Sequence, residues 1–300
     1  MCKHDIICND TCIIIIGYTI MTLMEVIMIS DSFGPYDVSE WEFSIRPVTG
    51  RYPKIELICG EDTYLIKFAA YKQNKQEIPY HLSEYIASKI IKSLGYKVHE
   101  VAIVEYHGRP GCLIQLYKES LVTFGGLGTS TLEGENLIYD LDSLQDLFNE
   151  GKYADDFEAY LWDTFLLDAL ISNLDRHPNN WGFFKRFGLY YQAPLFDNAS
   201  SLYSINAFDV NKMLDLEMYI QKFGRSRVNY KGEQRSFEHI LTTATSPKMG
   251  ERLQLFKVNL KDLDLSCLAT IKRSWPQYTL YIDFVYKYIE RQVRWFESRL

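Results

Sequence analysis

The sequence predicts an α+β chain in two lobes: a small antiparallel sheet first, a larger and mainly helical unit after it. Three observations carry this. Residues 41–117 break into short β-rich runs separated by turn residues. One amphipathic segment, residues 80–94, is inserted among them with apolar side chains at 82, 86, 87, 90, 91 and 94. From residue 156 onward, helical spacing dominates and a single hairpin pattern interrupts it. The expected organisation is an N-terminal extension over 1–35, the sheet lobe over 36–120 and the helical lobe over 121–300.

Composition supports a large core. The 300 residues are 47% hydrophobic and 15% aromatic, with no low-complexity tract. A formal net charge of -7 argues against nucleic acid or an acidic membrane as a bulk electrostatic partner. It does not argue against nucleotide, because a divalent cation and a few local cations suffice there. Of the six cysteines, Cys2, Cys8 and Cys12 crowd the start, and no CxxC pair occurs. Their spacing with His4 fits no usual zinc pattern. Cys59, Cys112 and Cys267 are expected to be reduced, buried thiols.

The first residues differ in character from the rest. The run from Cys12 to Met24 is apolar, but Glu25 ends it short of the roughly 20 residues of a membrane helix. Lys3 is offset by Asp5 and Asp10, and no small-residue cleavage site follows, so a signal peptide is not indicated. Residues 1–23 read as a mis-assigned start, with the working chain beginning at Met24 or Met28; intact mass of the natural protein tests this. The alternative is a weak membrane tether.

In the sheet lobe, residues 42–46, 54–58 and 63–68 alternate as strands, with turns at 47–53 and 60–62. Lys67 lies inside the third strand. Either it snorkels from an edge or it points into a cleft to meet phosphates. The helix over 80–94 stops at Gly95 and carries Glu84 in its opening turn, where an acid also suits the helix dipole. Residues 98–106 and 111–117, around Gly108-Arg109-Pro110, complete five strands, and Gln115-Leu116-Tyr117 stands where a hinge between lobes would lie. The glycine-rich stretch from Phe124 to Gly128 is neither a Walker A loop nor GxGxxG, and reads as a flexible post-hinge loop.

The helical lobe is expected to hold helices over 141–150, 156–172, 210–223, 236–243, 262–274 and 279–300, with a basic surface loop over 224–231. Two D-x-x-x-x-N spacings occur side by side. Asp168, paired with Asn173, lies mid-helix in 156–172, where its carboxylate cannot reach a cleft mouth as a loop residue can, so it reads as a structural acid bonded to the catalytic loop. Asp175 and Asn180 fall in that loop, which Pro178 and two asparagines keep irregular. A hairpin over 181–191 then leads to Asp197. A loop acid, an amide five residues on and a second acid after a hairpin suit phosphoryl transfer from a nucleotide: one carboxylate orients the acceptor, while the amide and the other acid hold magnesium.

Lys67, Ser83-Glu84-Tyr85, Asn173-Leu174-Asp175-Arg176-His177, Asn179-Asn180-Trp181-Gly182-Phe183 and Ala193-Pro194-Leu195-Phe196-Asp197 together resemble the HipA-like serine/threonine kinases, most of all the compact bacterial CtkA type. The resemblance runs from Trp41 to the C-terminus and is strongest over 156–202. It implies a bilobal protein-kinase-like fold, with ATP and magnesium as cofactors. By that likeness Asp175 orients a serine or threonine hydroxyl and takes its proton late. Asn180 and Asp197 ligate magnesium, and Lys67 holds the α/β phosphates and pairs with Glu84. Thr49 and Gly50 belong to the phosphate loop, and Gln115, Leu116 and Tyr117 meet the adenine. His177 either shapes the loop through backbone bonds, the favoured reading, or touches phosphate. The implied partners are a protein substrate with a Ser/Thr acceptor and an antitoxin-like protein. Direct nucleic-acid or membrane binding is not expected, and the setting is cytoplasmic or that of a secreted or translocated effector.

Departures from the family pattern are specific. The segment 48–54 matches only loosely and has no serine for self-silencing, with Ser44 and Thr49 merely near. Asp197-Asn198-Ala199 stands where eukaryotic kinases have Asp-Phe-Gly, so their activation-loop logic does not transfer. The alternatives are a small-molecule kinase like the aminoglycoside phosphotransferases and a nucleotide-sensing pseudokinase.

Overall fold

The computed structural model describes residues 13–16, 19–22, 35–45, 53–126, 156–204 and 225–298. Thr49 and Gly50, and the helices expected over 141–150 and 210–223, lie outside the described residues. Within the near-terminal apolar run, β1 (Ile13–Ile16) pairs antiparallel with β2 (Thr19–Thr22). No helix among the described residues is long and apolar enough to cross a membrane.

The sheet lobe is built from β3 (Tyr36–Asp37), β4 (Glu42–Phe43), β5 (Lys54–Cys59), β6 (Asp62–Phe68), β9 (Val101–Tyr106) and β10 (Arg109–Gln115). They form a six-stranded sheet in the order β3-β9-β10-β6-β5-β4. Five strands match the expectation. The sixth, β3, runs parallel to β9 and is too short to leave a periodic signal. A further short hairpin, β7 (Ala70–Tyr71) with β8 (Glu77–Ile78), is also new.

Alternation assigns the two faces of the sheet. Tyr64, Ile66, Phe68, Ala102, Val104 and Leu113 pack with Val38 and Leu57 on one side. Ile103, Cys112 and Ile114 face the other way, against helix α1 (Tyr80–Ser93). Lys67 alternates with Ile66 and Phe68, so it shares the α1 face. Because β6 is central, Lys67 does not snorkel from an edge; it is buried.

The larger core wraps α2 (Phe157–Ile171), apolar on nearly every side. Asp156 caps it, accepting from Ala159 N at 3.0 Å. Its C-cap, Ser172, turns left-handed at φ 50°, which ends the helix before the loop. Beyond come β11 (Leu121–Thr123), β12 (Gly182–Arg186) and β13 (Leu189–Gln192) in one three-stranded sheet. β12 and β13 form the expected hairpin, whose turn, Phe187-Gly188, has both φ positive, 49° and 81°. A Cβ at Gly182 would sit 2.3 Å from Val122 O, so only glycine lets β11 approach.

The remaining elements are β14 (Arg225–Tyr230), β15 (Glu233–Ser236), α3 (Phe237–Thr243), α4 (Pro247–Asn259), α5 (Ser266–Ser274) and α6 (Thr279–Ser298). Three expectations need correction. The basic stretch 224–231 is largely a strand paired with β15, because positive-φ Lys231 and Gly232 close a tight turn. Helix α4 was not foreseen, although Ser246 caps it with Pro247 at its first turn. The helix expected over 262–274 starts only at Ser266, after a short 3₁₀ turn, Leu260–Asp262.

Candidate active site

The site forms where α1, the β6–β10 face and the segment around Asp197 meet. Lys67 Nζ donates to Glu84 Oε2 at 2.5 Å and to Asp197 Oδ1 at 2.6 Å. Glu84 lies in the second turn of α1 rather than the first, and is completely buried. Its place follows from packing, not from the helix dipole. Its other oxygen, Oε1, accepts from Asn198 N at 2.9 Å and lies 2.8 Å from His99 Nε2. Burial disfavours the Lys67 ammonium, but Asp197 and Glu84 outweigh it and hold its pKa above the ordinary range. Burial likewise works against the Glu84 carboxylate; Lys67 and His99 prevail and hold its pKa well below the usual range. Both groups are therefore charged at neutral pH.

α1 is also tied to the chain just past Asp197: Ser83 Oγ donates to Ser201 O at 2.6 Å. Asp197 itself is left-handed, φ 57°, which turns its carboxylate toward Lys67 while its neighbour's N–H meets Glu84.

The loop after α2 is held by its own polar groups. Asp175 N donates to Asn173 Oδ1 at 3.1 Å, and Asn180 Nδ2 to Asp175 O at 2.9 Å. His177 accepts from Asn179 N through Nδ1 at 3.2 Å, the backbone bond of the loop-shaping reading. Asp168 bonds to this loop as expected. The partner, Arg176, was not foreseen: its Nε and Nη2 donate to the Asp168 carboxylate at 2.9–3.2 Å. The same guanidinium donates to Asn180 O, Phe196 O and Asn198 Oδ1, each at 2.7 Å. Arg176 thus joins the Asp175 loop to the Asp197 segment.

Phe124–Gly126 is a packed 3₁₀ turn rather than a flexible loop; Leu127 and Gly128 lie outside the described residues. Phe124 stacks on Trp181 at 4.9 Å, and Gly125 N donates to Pro178 O at 2.9 Å. Of the three described cysteines, Cys112 and Cys267 are buried and Cys59 is only half-buried.

Between the sheet and the Asp197 segment lies a cavity of about 160 Å³, walled by Leu65, Lys67, Gln115, Leu116, Tyr117 and Asp197 among others. The three residues expected at a hinge therefore share one cavity with the lysine. Leu116 N is already bonded to Thr63 O at 2.9 Å, which leaves that amide engaged within the sheet. A larger cavity, about 290 Å³, lies by Leu241, Leu253, Trp295 and Phe296; among the described residues no ionisable group lines it. Asp175, His177 and Asn180 do not line the 160 Å³ cavity; they sit together in the loop. Arg176, His99 and Asn198 are the residues sequence reasoning missed. Asn198 follows the predicted acid directly, and Arg176 follows Asp175, so proximity was the signal available.

Magnesium suits the donor set. Asp197 offers a carboxylate with 37% of its side chain exposed. The Asn180 amide nitrogen is turned to Asp175 O, which assigns the carbonyl oxygen as the remaining acceptor. Two hard oxygen donors, with phosphates and water completing the shell, are ordinary magnesium ligation.

A sheet lobe with a lysine–glutamate pair, set on a helical lobe with an Asp/Asn loop and a later acid, defines a bilobal protein-kinase-like domain. The family model of the HipA-like C-terminal domain matches residues 47–253, and the chain belongs to that family. The serine/threonine-protein kinase CtkA of Helicobacter pylori strain J99 is 32% identical over 167 residues, 50% of this chain and 50% of that protein. The chain thus matches only about half the length of this relative. The crystal structure of the H. pylori proinflammatory kinase CtkA superposes with a TM-score of 0.72 at 22% identity, covering 86% of this chain and 94% of that one. HipA of Shewanella oneidensis MR-1, solved with HipB and operator DNA, superposes with a TM-score of 0.51 at 15% identity, covering 92% of this chain and 70% of that one. Both structures share the fold.

Proposed function

We propose that this chain is an ATP- and magnesium-dependent kinase that phosphorylates serine or threonine hydroxyls of a protein. The observation that carries the reading is Lys67, buried between Glu84 and Asp197 at the wall of the cavity that Gln115, Leu116 and Tyr117 also line. A lysine fixed in this way presents its charge to α/β phosphates, and the hinge residues lie where adenine would bind. Thr49 and Gly50 would cover the phosphates. Asp197 and Asn180 would hold magnesium, which when bound neutralises charge on the transferring phosphoryl group. Asp175 accepts a hydrogen bond from the acceptor hydroxyl. The hydroxyl oxygen forms a bond to the γ-phosphorus as the bond to the β–γ bridging oxygen breaks. ADP leaves, and the hydroxyl proton passes late to Asp175. His177 shapes the loop that aims this carboxylate.

The reading includes a protein substrate and an antitoxin-like partner protein, the latter because the Shewanella oneidensis HipA was solved with HipB. It also includes action in the cytoplasm or after delivery as an effector. The test is transfer of labelled γ-phosphate with magnesium, comparing wild type with Asp175→Asn and offering the chain itself and a generic basic protein as acceptors. Label on protein, lost in the variant, supports the reading. Magnesium-dependent ATP binding with label only on a small-molecule acceptor would replace it with a small-molecule kinase. Absence of ATP binding would end it.

A further inference from the structure

His99 is buried, and its place is fixed from two sides. Its backbone N–H donates to Leu195 O at 3.0 Å, and Leu195 N donates to Lys97 O at 2.9 Å. Val98 and Leu195 form the parallel bridge between them, two residues before Asp197. The imidazole then reaches α1, where Nε2 lies 2.8 Å from Glu84 Oε1 and 3.2 Å from Ser88 Oγ. Ser88 is one helical turn beyond Glu84, so the ring nitrogen meets two side chains of one helix face. A carboxylate can only accept, so Nε2 carries the hydrogen and donates to Glu84.

We propose that His99 is a positioning residue that holds the Glu84 carboxylate and thereby sets how Lys67 divides between Glu84 and Asp197. The proposal deepens the kinase reading and rests on it for its consequence. Glu84 is fully buried, so no water replaces a donor it loses. Without His99, Oε1 keeps only the Asn198 N–H and the carboxylate is free to turn. Lys67 then loses its fixed partner and is left to Asp197 alone, already 2.6 Å away and the more exposed of the two acids. An Asp197 carboxylate neutralised by lysine is a poorer ligand for magnesium. The consequence is a raised magnesium requirement for nucleotide binding, which general loss of packing would not produce.

The test compares wild type, His99→Leu, which removes the donor, and His99→Gln, whose amide N–H can replace it. Crystal structures without nucleotide report the Lys67–Glu84 separation. Calorimetry with a non-hydrolysable ATP analogue, titrated over magnesium, reports the metal requirement. In His99→Leu the pair opens beyond about 4 Å, and the magnesium concentration for half-maximal binding rises about 10-fold. His99→Gln keeps the pair and stays within about 3-fold of wild type. An intact Lys67–Glu84 pair with unchanged magnesium dependence in His99→Leu overturns the proposal. Should that variant not fold, His99→Asn, whose shorter amide does not reach Glu84, takes its place. Wild type that binds no analogue at any magnesium concentration defeats the kinase reading instead, and the crystal structures alone then decide the role of His99.

Discussion

Two buried cations hold this site, and they are provided for differently. Arg176 has one carboxylate, Asp168, and three neutral oxygens, those of Asn180, Phe196 and Asn198. Its cluster is charge-balanced, with side chains only 3% and 4% exposed. Lys67 has two carboxylates, and one of them, Asp197, is 37% exposed. Counted over these three groups, that cluster has one negative charge in excess at a cavity, whose wall also carries Lys54, in electrostatic reach of Asp197. A saturated, sealed ion pair has nothing left to bind and serves as a pin. An unbalanced, half-open one is a place for a further cation and the anion that comes with it. The two clusters meet on one short segment: Arg176 grips Phe196 and Asn198, Lys67 grips Asp197, and Glu84 grips the Asn198 N–H.

Substitutions can break this contrast. Asp175→Asn, in the loop that Arg176 pins, should lower phosphoryl transfer by about 10²–10⁴-fold while the melting temperature stays near that of wild type. Wild-type turnover in that variant would remove Asp175 from the reaction. Asp168→Asn should act in the opposite sense. It leaves Arg176 buried without a charged partner, at a cost of about 3–5 kcal/mol, or on the order of 10 °C in melting temperature. Thermal denaturation decides, and a normal melting temperature with lost transfer would turn the pin into part of the chemistry.

Asp197→Asn should weaken nucleotide binding about 10-fold at limiting magnesium, and less when magnesium is saturating. Equal affinity for wild type and variant in calorimetry at low magnesium would count against Asp197 as a ligand. The smallest expected effect concerns acid. Glu84 is held below its ordinary value of 4.5, so the unfolded chain takes up its proton first as pH falls. The stability that Glu84 contributes is present above about pH 4.5 and is lost below it, at roughly 1 kcal/mol per pH unit. Urea midpoints between pH 5 and pH 3 should therefore fall more steeply for wild type than for Glu84→Gln. Parallel slopes would mean that the Lys67 cluster does not sense this proton.

Much of the fold was legible from local pattern. Strands β5 and β6, helix α1, the β12–β13 hairpin and the long helix α6 lie close to where alternation and helical spacing put them. Apart from α4, whose local cap at Ser246 was passed over, what escaped was short or set by partners. Strand β3 exists because β9 offers an edge, and β14 because β15 folds back on it. The two D-x-x-x-x-N segments show the limit within the site. Their spacing is identical, and only the helical period of residues 157–171 separates Asp168 from Asp175. That Asp168 bonds to the loop was readable; that Arg176 is the donor was not, because a basic residue in a polar loop is usually solvated.

The sequence by itself determined which stretches are strand, helix and loop, and with them the kinds of side chain each would carry. Those choices follow from near-neighbour sterics and from the period with which apolar residues recur. Only the tertiary structure decided which side chains meet. Lys67 finds Glu84 across 17 residues and Asp197 across 130, and His99, which reaches Glu84, is held by its own bond and its neighbour Val98's bridge to Leu195. A buried charge requires a partner wherever the chain can bring one. No local pattern records which distant segment will supply it.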